Sequence, residues 1–425
     1  MSTQNILILG SGGREHAMAA HIFKSPLCNQ LFIAPGNPGT ALCGTNIAIP
    51  PGYDPNEIAE IIKRHEINLV IIGPEDPLAN GLVDQLQIIF PHVHFFGPSQ
   101  QAAQLESSKS YAKEFMTKAG IPTAAFREFN IVEKENCIQY LKEINYPTVI
   151  KADGLAAGKG VIIANNAAEA EAYAKEIFEG KFGAAGNKIL IEQFLKGREF
   201  SVFILINGNQ YIELPIAKDY KKVFAGDQGP NTGGMGAVSP VPFVTDELMQ
   251  KVRTRIIQPT VDQLVAENIA YTGFIFFGLI EVEGEPYVIE YNARFGDPEA
   301  EVIFPRITGD LVKIINALMD GQQCLQPEID PRYATGIYVV AAGYPEQYPK
   351  NTMIDISNIP PENYIFQGGT RLDENGHLKS NGGRVIFIGA LNENLEAAKL
   401  QALAGADALD YKDKYYRRDI AYDVY

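Results

Sequence analysis

Glu290, Asn292 and Arg294 close an apolar run, Val288-Ile289-Glu290-Tyr291-Asn292-Ala293-Arg294, that leads into Phe295-Gly296-Asp297-Pro298-Glu299. Read as a strand, the run alternates its side chains, so an acid, an amide and a guanidinium share one face. The first two offer hard oxygens of the kind Mg²⁺ takes, and the third a planar fork for phosphate or carboxylate oxygens. Such a trio suits holding a metal-bound triphosphate while its terminal phosphoryl group moves. The competing reading is an edge strand with solvated polar residues, and the motifs elsewhere in the chain weigh against it.

Four further segments carry chemistry. Gly10-Ser11-Gly12-Gly13-Arg14-Glu15 follows an apolar run, but Glu15 stands where a dinucleotide fingerprint needs its third glycine, and Leu31 to Pro35 supplies no ribose-binding acid. The bare turn still offers backbone N–H groups to one phosphate at a helix N-terminus, with Arg14 adding charge. A tight turn with no ligand is the alternative. Lys151-Ala152-Asp153-Gly154-Leu155-Ala156-Ala157-Gly158-Lys159-Gly160 falls out of register with a Walker loop, and Val161 to Ala164 continues as strand rather than helix. It reads as a glycine-rich hairpin, with Gly154, Gly158, Lys159 and Gly160, that folds over phosphates while Lys151 reaches them from the incoming strand. Glu192-Gln193-Phe194-Leu195 reads as a hinge offering groups to an adenine edge, and Glu199 as an acceptor for ribose hydroxyls; a solvated strand end competes. Finally, Gly229 to Ala237 holds four glycines in nine residues, a loop built to bring backbone close to ligand oxygens. Just upstream, Lys218-Asp219-Tyr220-Lys221-Lys222 sets an acid suited to an amine among lysines that offset phosphate charge, or else forms a solvated turn.

The elements that must position these residues can be read from periodicity. Short apolar strands at 5–9, 31–34, 69–72 and 93–96 alternate with helical patterns, such as 57–66, where Ile58, Ile61 and Ile62 share a face. That alternation predicts a parallel sheet whose ligand crevice lies at the strands' carboxyl ends. A helical stretch near 100–119 ends at Gly120-Ile121-Pro122. Strands are expected at 147–151, 161–164 and 188–191 around a helix at 167–179. Next come a strand-rich section with a helix near 246–267 and a tail with strands at 335–342 and 384–389 and a helix at 392–404. With 425 residues, 46% apolar and 20% charged, the chain should form about two to four domains. Its net charge of −15 argues against general nucleic-acid binding, which needs a basic face. Cys28, Cys43, Cys137 and Cys324 have no metal-type spacing and read as reduced thiols of a cytoplasmic protein. No leader precedes the first strand, no apolar run approaches the roughly 20 residues of a membrane span, and no appended domain is expected.

Taken in order, these segments resemble the ATP-grasp superfamily and, within it, the phosphoribosylamine–glycine ligase (glycinamide ribonucleotide synthetase) family. The resemblance rests on Gly12-Gly13-Arg14-Glu15-His16, Pro35-Gly36-Asn37, Gly73-Pro74-Glu75, Lys151 to Gly160, Gly229 to Ala237, Arg294 to Glu299 and Asn381-Gly382-Gly383-Arg384-Val385. It implies an α/β and α+β multidomain fold: a Rossmann-like preATP-grasp N-terminal domain at 1–104 on the ribosylamine-phosphate side, a split ATP-grasp core at 105–122 and 192–328, a mobile lid subdomain at 123–191 and a C-terminal mixed domain at 329–425. It implies joining of glycine to 5-phospho-β-D-ribosylamine through glycyl phosphate, with ATP as co-substrate, Mg²⁺ or Mn²⁺ as cofactor and a monomer or weak homodimer. In residues, it implies Glu290 and Asn292 on the metal, and Lys109 and Lys151 on the nucleotide phosphates with the hairpin, Glu192, Phe194, Leu195 and Glu199 around them. Arg294 would act on the moving phosphoryl group or the acyl phosphate, and Asp219 and Asp297 on glycine's ammonium group. Gly12, Gly13, Arg14 and Asn37 would seat the ribose phosphate, with Gly234 and Arg384 also on the substrate side. The chain departs from the family's usual His at position 220 and from its usual continuation after Glu299, where it has Ala300-Glu301. The rival readings are an ATP-grasp enzyme for another carboxylate, an oxidoreductase using the first glycine turn, and a nucleotide-binding regulator.

Overall fold

The computed structural model describes residues 2–155, 160–322, 325–412 and 414–425. Strands Gln4–Gly10, Cys28–Pro35, Thr45–Asn46, Leu69–Ile72 and His94–Phe96 form a parallel sheet. Ile6 to Leu9 and Leu69 to Ile72 are buried along their whole length, as expected of strands covered on both faces. The helix Pro55–Arg64 starts where Asp54 caps the Asn56 N–H and Pro55 takes the first turn, and it buries Ile58, Ala59, Ile61 and Ile62.

The stretch near 100–119 is two helices, Gln100–Ser107 and Lys109–Lys118. Ser108 leaves the helical region and its Oγ accepts from the Tyr111 N–H, capping the second helix and placing Lys109 at its first position. A four-stranded antiparallel sheet then joins Phe126–Asn130, Lys188–Gln193, Thr148–Ala152 and Val161–Ala164. Phe126–Asn130 and the helix Lys134–Glu143 were not legible as elements: the strand lies at the sheet's edge with mixed burial. The core is a second antiparallel sheet, ordered Gln210–Glu213, Arg198–Asn207, Thr272–Val282, Glu285–Asn292, and packed by Phe203, Phe274, Phe276 and Phe295.

The last sheet is built on Tyr333–Ala341 and Arg384–Asn392, backed by the helix Leu395–Ala408. Its edge comes from further back in the chain. Gly236–Ser239 pairs with Tyr333–Ala341, and Lys218–Asp219 pairs with Gly236–Ser239. The segment with Asp219, grouped with the core on sequence, therefore hydrogen-bonds into the sheet of the last region. Cys28, Cys43 and Cys137 are free, and Cys324 lies outside the described residues. Among the described residues, no helix is long and apolar enough to cross a membrane.

Candidate active site

The strand Glu285–Asn292 carries a bulge. Gly278 faces Glu290 and Leu279 faces Val288, so Ile289 has no opposite number. An extra residue of this kind frees backbone groups and re-aims the side chains beyond it. Here the Ile289 carbonyl accepts from Lys151 Nζ at 3.3 Å, joining the hairpin's lysine to the metal-binding candidate strand. Beyond the bulge, Tyr291 turns into the core while Glu290 and Asn292 share the opposite face. Arg294 lies past the strand's end.

Burial acts against the Glu290 charge, but Lys221, Lys151, Lys109 and Arg294 outweigh it and hold this carboxyl below its usual range. It is ionised and ready for a cation. Asn292 offers an amide oxygen. When its nitrogen faces Glu106 Oε1 (3.2 Å) and the Tyr291 carbonyl (2.9 Å), both acceptors are satisfied and the oxygen is left on the other side. One carboxylate and one amide oxygen, with no cluster of three His, Cys, Asp or Glu among the described residues, fit a hard ion that keeps water and phosphate oxygens as its other ligands.

Glu106 escapes detection in the sequence because a lone acid in a helical stretch carries no motif. It organises this edge. Besides Asn292, its carboxylate meets the Ala293 N–H at 2.8 Å and Arg294 Nη2 at 2.8 Å. Arg294 also lies 3.4 Å from Glu75 and donates to the Phe295 carbonyl. Burial pushes the Glu106 carboxyl up to about 7 despite Arg294.

Lys151 is buried and sits 2.9 Å from Glu192, which also pairs with the buried Lys113 at 3.1 Å. Burial brings Lys113 down to about 8. The Glu192 carboxylate is therefore engaged by two lysines, and Phe194 and Leu195 lie half-buried just past the strand's end. Lys109 Nζ reaches the Gly154 carbonyl at 2.8 Å, and Asp153 accepts from the Ser110 N–H at 3.1 Å, tying the hairpin's base to the helix start. Gly154 has φ +144°, which an L residue rarely adopts. Gly160 closes the hairpin through the Ala152 N–H. Gly158 and Lys159 lie outside the described residues.

A second charged group faces the same strand. Lys221 lies 3.6 Å from Glu290 and 3.7 Å from Glu199. Burial, reinforced by Glu199, pushes the Asp219 carboxyl up against the pull of Lys221. Glu299 accepts from Ser201 Oγ at 2.8 Å and is pushed up to about 7 by burial and by Asp219. Asp297 pairs with Arg384 Nη1 at 2.9 Å; the same nitrogen donates to the Gly233 carbonyl, and Gly234 at φ +117° packs on Pro298. Glu301 is fully buried and accepts from Tyr338 Oη at 2.9 Å, and burial and Asp297 push its carboxyl well above the usual range.

The first glycine turn is engaged by the chain's own groups. Glu15 Oε2 accepts from the Gly12 N–H at 2.6 Å, so the helix Gly13–Ile22 is capped by its own side chain where an anion was expected. Arg14 donates Nε to Glu15 and Nη1 to the Phe295 carbonyl. Asn37 donates to the carbonyls of Ser11 and Gln367 and accepts from the N–H groups of Gly39 and Thr40. A phosphate here would have to displace these contacts. Gly13 has another reason to lack a side chain: a Cβ would lie 2.1 Å from Tyr338 Oη and 2.4 Å from Glu301 Oε1.

A parallel-sheet domain, an antiparallel core ending in a carboxylate–amide pair, and a four-stranded sheet whose glycine hairpin brings Lys151 to that strand define an ATP-grasp protein. The chain matches the family models "Phosphoribosylglycinamide synthetase, N domain" over residues 4–106, "ATP-grasp (A) domain" over 107–300 and "C domain" over 334–423. It belongs to the phosphoribosylglycinamide synthetase family. It is 42% identical to phosphoribosylamine–glycine ligase of Pasteurella multocida, over 98% of this chain and 97% of that one. It is 40% identical to the bifunctional purine biosynthetic protein PUR2,5 of Pichia angusta, spanning about half (54%) of that longer protein. A crystal structure of phosphoribosylamine–glycine ligase from Thermotoga maritima superposes with a TM-score of 0.86 at 34% identity, covering 98% of this chain and all of that one. A biotin carboxylase domain from Hydrogenobacter thermophilus, at 16% identity and a TM-score of 0.74, shares the fold.

Proposed function

We propose that this chain joins glycine to 5-phospho-β-D-ribosylamine at the expense of ATP, giving glycinamide ribonucleotide, ADP and phosphate. The observation that carries it is the convergence of Lys109, Lys151, Lys221 and Arg294 on the ionised Glu290, in a chain that aligns end to end with ligases of that name. Glycine's carboxylate is a poor acyl donor because oxide is a poor leaving group. A carboxylate oxygen attacks the γ-phosphorus, the bond to the β–γ bridging oxygen breaks, and ADP leaves. The ribosylamine nitrogen then attacks the acyl carbon, loses a proton and expels phosphate.

Such transfer needs positioning and charge neutralisation more than covalent help. Lys109 and Lys151 grip the nucleotide phosphates, the lid backbone at Gly154 and Gly160 covers them, and Phe194, Leu195 and Glu199 border the nucleoside. Glu290 and Asn292 would hold Mg²⁺ or Mn²⁺, which when bound neutralises charge on the phosphates. Arg294, aimed by Glu106, stabilises the negative charge that develops on the transferred group. Asp219 and Asp297 receive glycine's ammonium group, with Gly234 and Arg384 on the ribosylamine side. Lid closure excludes water, to which an acyl phosphate would be lost. The reaction is that of a cytoplasmic enzyme acting on small molecules, with no nucleic acid or membrane as partner. The test is ADP formation with freshly generated ribosylamine: full turnover requires glycine, and ADP release driven equally well by another carboxylate would assign the chain a different substrate.

A further inference from the structure

Tyr220 sits in a charged segment whose odd and even members face different ways. Side chains alternate along the strand Lys218–Asp219 and its extension. Lys221 meets Glu290 and Glu199, and Asp219 is surrounded by Lys221, Glu199 and Glu290. Tyr220 turns the other way, and it shares one carboxylate with Lys218, whose Nζ also reaches the Glu199 carbonyl at 3.3 Å. Tyr220 Oη donates to Asp423 Oδ1 at 2.7 Å, and Lys218 Nζ lies 3.2 Å from Asp423 Oδ2.

A second tether grips the same segment a few residues on. The Arg417 side chain is fully buried and donates to the Lys222 carbonyl at 3.0 Å and to Asp227 Oδ1 at 2.7 Å. Its other nitrogens hold Asp419, whose Oδ2 accepts from the Gly226 N–H at 2.8 Å. The guanidinium also lies 5.3 Å from the Tyr220 ring centre. Residues 417–423 thus line the back of the segment whose front enters the cleft.

We propose that Asp423 is a positioning residue: by holding the side chains of residues 218 and 220 at once, it fixes the rotation of the strand and thereby aims Asp219 and Lys221 at the amino-acid substrate. The backbone ladder to Gly236–Ser239 already holds one edge of the segment, and Asp423 adds a second hold by fastening the side chains on both flanks of residue 219. Lys218 and Tyr220 are both buried, so each needs a partner; Asp423 serves both, and Lys218 has the Glu199 carbonyl besides. Burial and the adjacent Asp423 keep the Tyr220 hydroxyl protonated, so it acts as a donor here and not as an acid–base group. This gives Tyr220, unexplained as a departure from the family pattern, a defined task. The inference rests on the reading that Asp219 receives glycine's ammonium group.

The experiment compares Asp423→Asn, Tyr220→Phe and their combination, with Asp219→Asn as the benchmark. It measures kcat, KM for glycine, KM for ATP and the melting temperature of each. A small misplacement of a binding group costs up to ~10²-fold, so Asp423→Asn should raise the glycine KM roughly tenfold and leave the ATP KM within about twofold. Tyr220→Phe should move the glycine KM the same way by about threefold, and the combination should be no worse than Asp423→Asn alone, because both act through one contact. A lower melting temperature with an unchanged glycine KM in Asp423→Asn, while Asp219→Asn raises it, would make the contact plain packing and overturn the proposal. If Asp423→Asn does not fold, Tyr220→Phe decides alone, and an unchanged glycine KM there overturns it. An unchanged glycine KM in Asp219→Asn itself brings down the reading of the site, and the proposal with it.

Discussion

The turn at 10–16 and the strand end at 290–294 are made of similar parts: backbone near glycine, an arginine, a glutamate. They differ in what is left over once the protein has satisfied itself. In the turn, Glu15 caps Gly12 and pairs with Arg14, and Asn37 is bonded at both ends. At the strand end, three lysines and an arginine converge on Glu290 and also meet Glu75, Glu106, Glu192 and Glu199, while the Glu290 and Lys221 side chains stay 35% exposed. In the turn, one of its own side chains takes the place expected for an anion. The strand end instead gathers opposite charges that stay partly open to a ligand.

The sharpest way to break that contrast is to remove Glu290. Glu290→Ala takes away the carboxylate on which the three lysines converge and, in the proposed mechanism, a metal ligand. ATP- and glycine-dependent turnover should fall by about 10³-fold or more, with the melting temperature nearly unchanged because the side chain is not part of the core. Turnover within tenfold of the parent would show that the open edge is not where the nucleotide reacts.

Arg294→Ala comes next. Losing one preorganised group that stabilises developing charge costs on the order of 10²–10³ in kcat. The variant also leaves Glu106 and Glu75 without their cation, so its stability should be measured beside its rate. A drop in stability without loss of kcat per folded molecule would turn Arg294 into a structural arginine like Arg14 and erase the difference between the two regions.

The contrast also explains how much could be read from the sequence alone. The parallel sheet was legible because Ile6 to Leu9 and Leu69 to Ile72 are unbroken apolar runs between turn signals. Glu290 and Asn292 were legible because a strand's alternation survives beyond the bulge. The bulge itself was not, since an extra residue leaves no mark in composition. Glu106 and Lys113 were invisible for another reason: each acts on a partner far away in sequence, Arg294 and Glu192, and single charges in a helical pattern look like solvated ones. Glu15 was visible as a departure from a dinucleotide fingerprint, but its capping of Gly12 was not. The membership of Lys218–Asp219 in the last sheet depends on pairing with Gly236–Ser239 and, through it, with Tyr333–Ala341, and local periodicity does not report that.

The smallest expected effect tests the closed side. His16, on the helix that Glu15 caps, is buried, and its Nδ1 accepts from the Gln367 N–H at 2.8 Å. Accepting there requires an unprotonated nitrogen, and burial brings the imidazole down to about 4. Its folded pKa is depressed below the unfolded value of 6.5, so the neutral ring is the native form. Above about 6.5 neither state binds the proton and the contribution to stability is complete. As the pH falls from there towards about 4, only the unfolded chain takes up the proton, and stability is lost at roughly 1.4 kcal/mol per pH unit, or about 2 kcal/mol by pH 5. Denaturant unfolding of the parent and of His16→Gln at pH 7 and pH 5 measures it. The parent should lose about 2 kcal/mol more than the variant, whose side chain does not titrate. An equal loss in both would mean that His16 is already open to protons in the folded chain, and that the turn at 10–16 is less sealed than its hydrogen bonds imply.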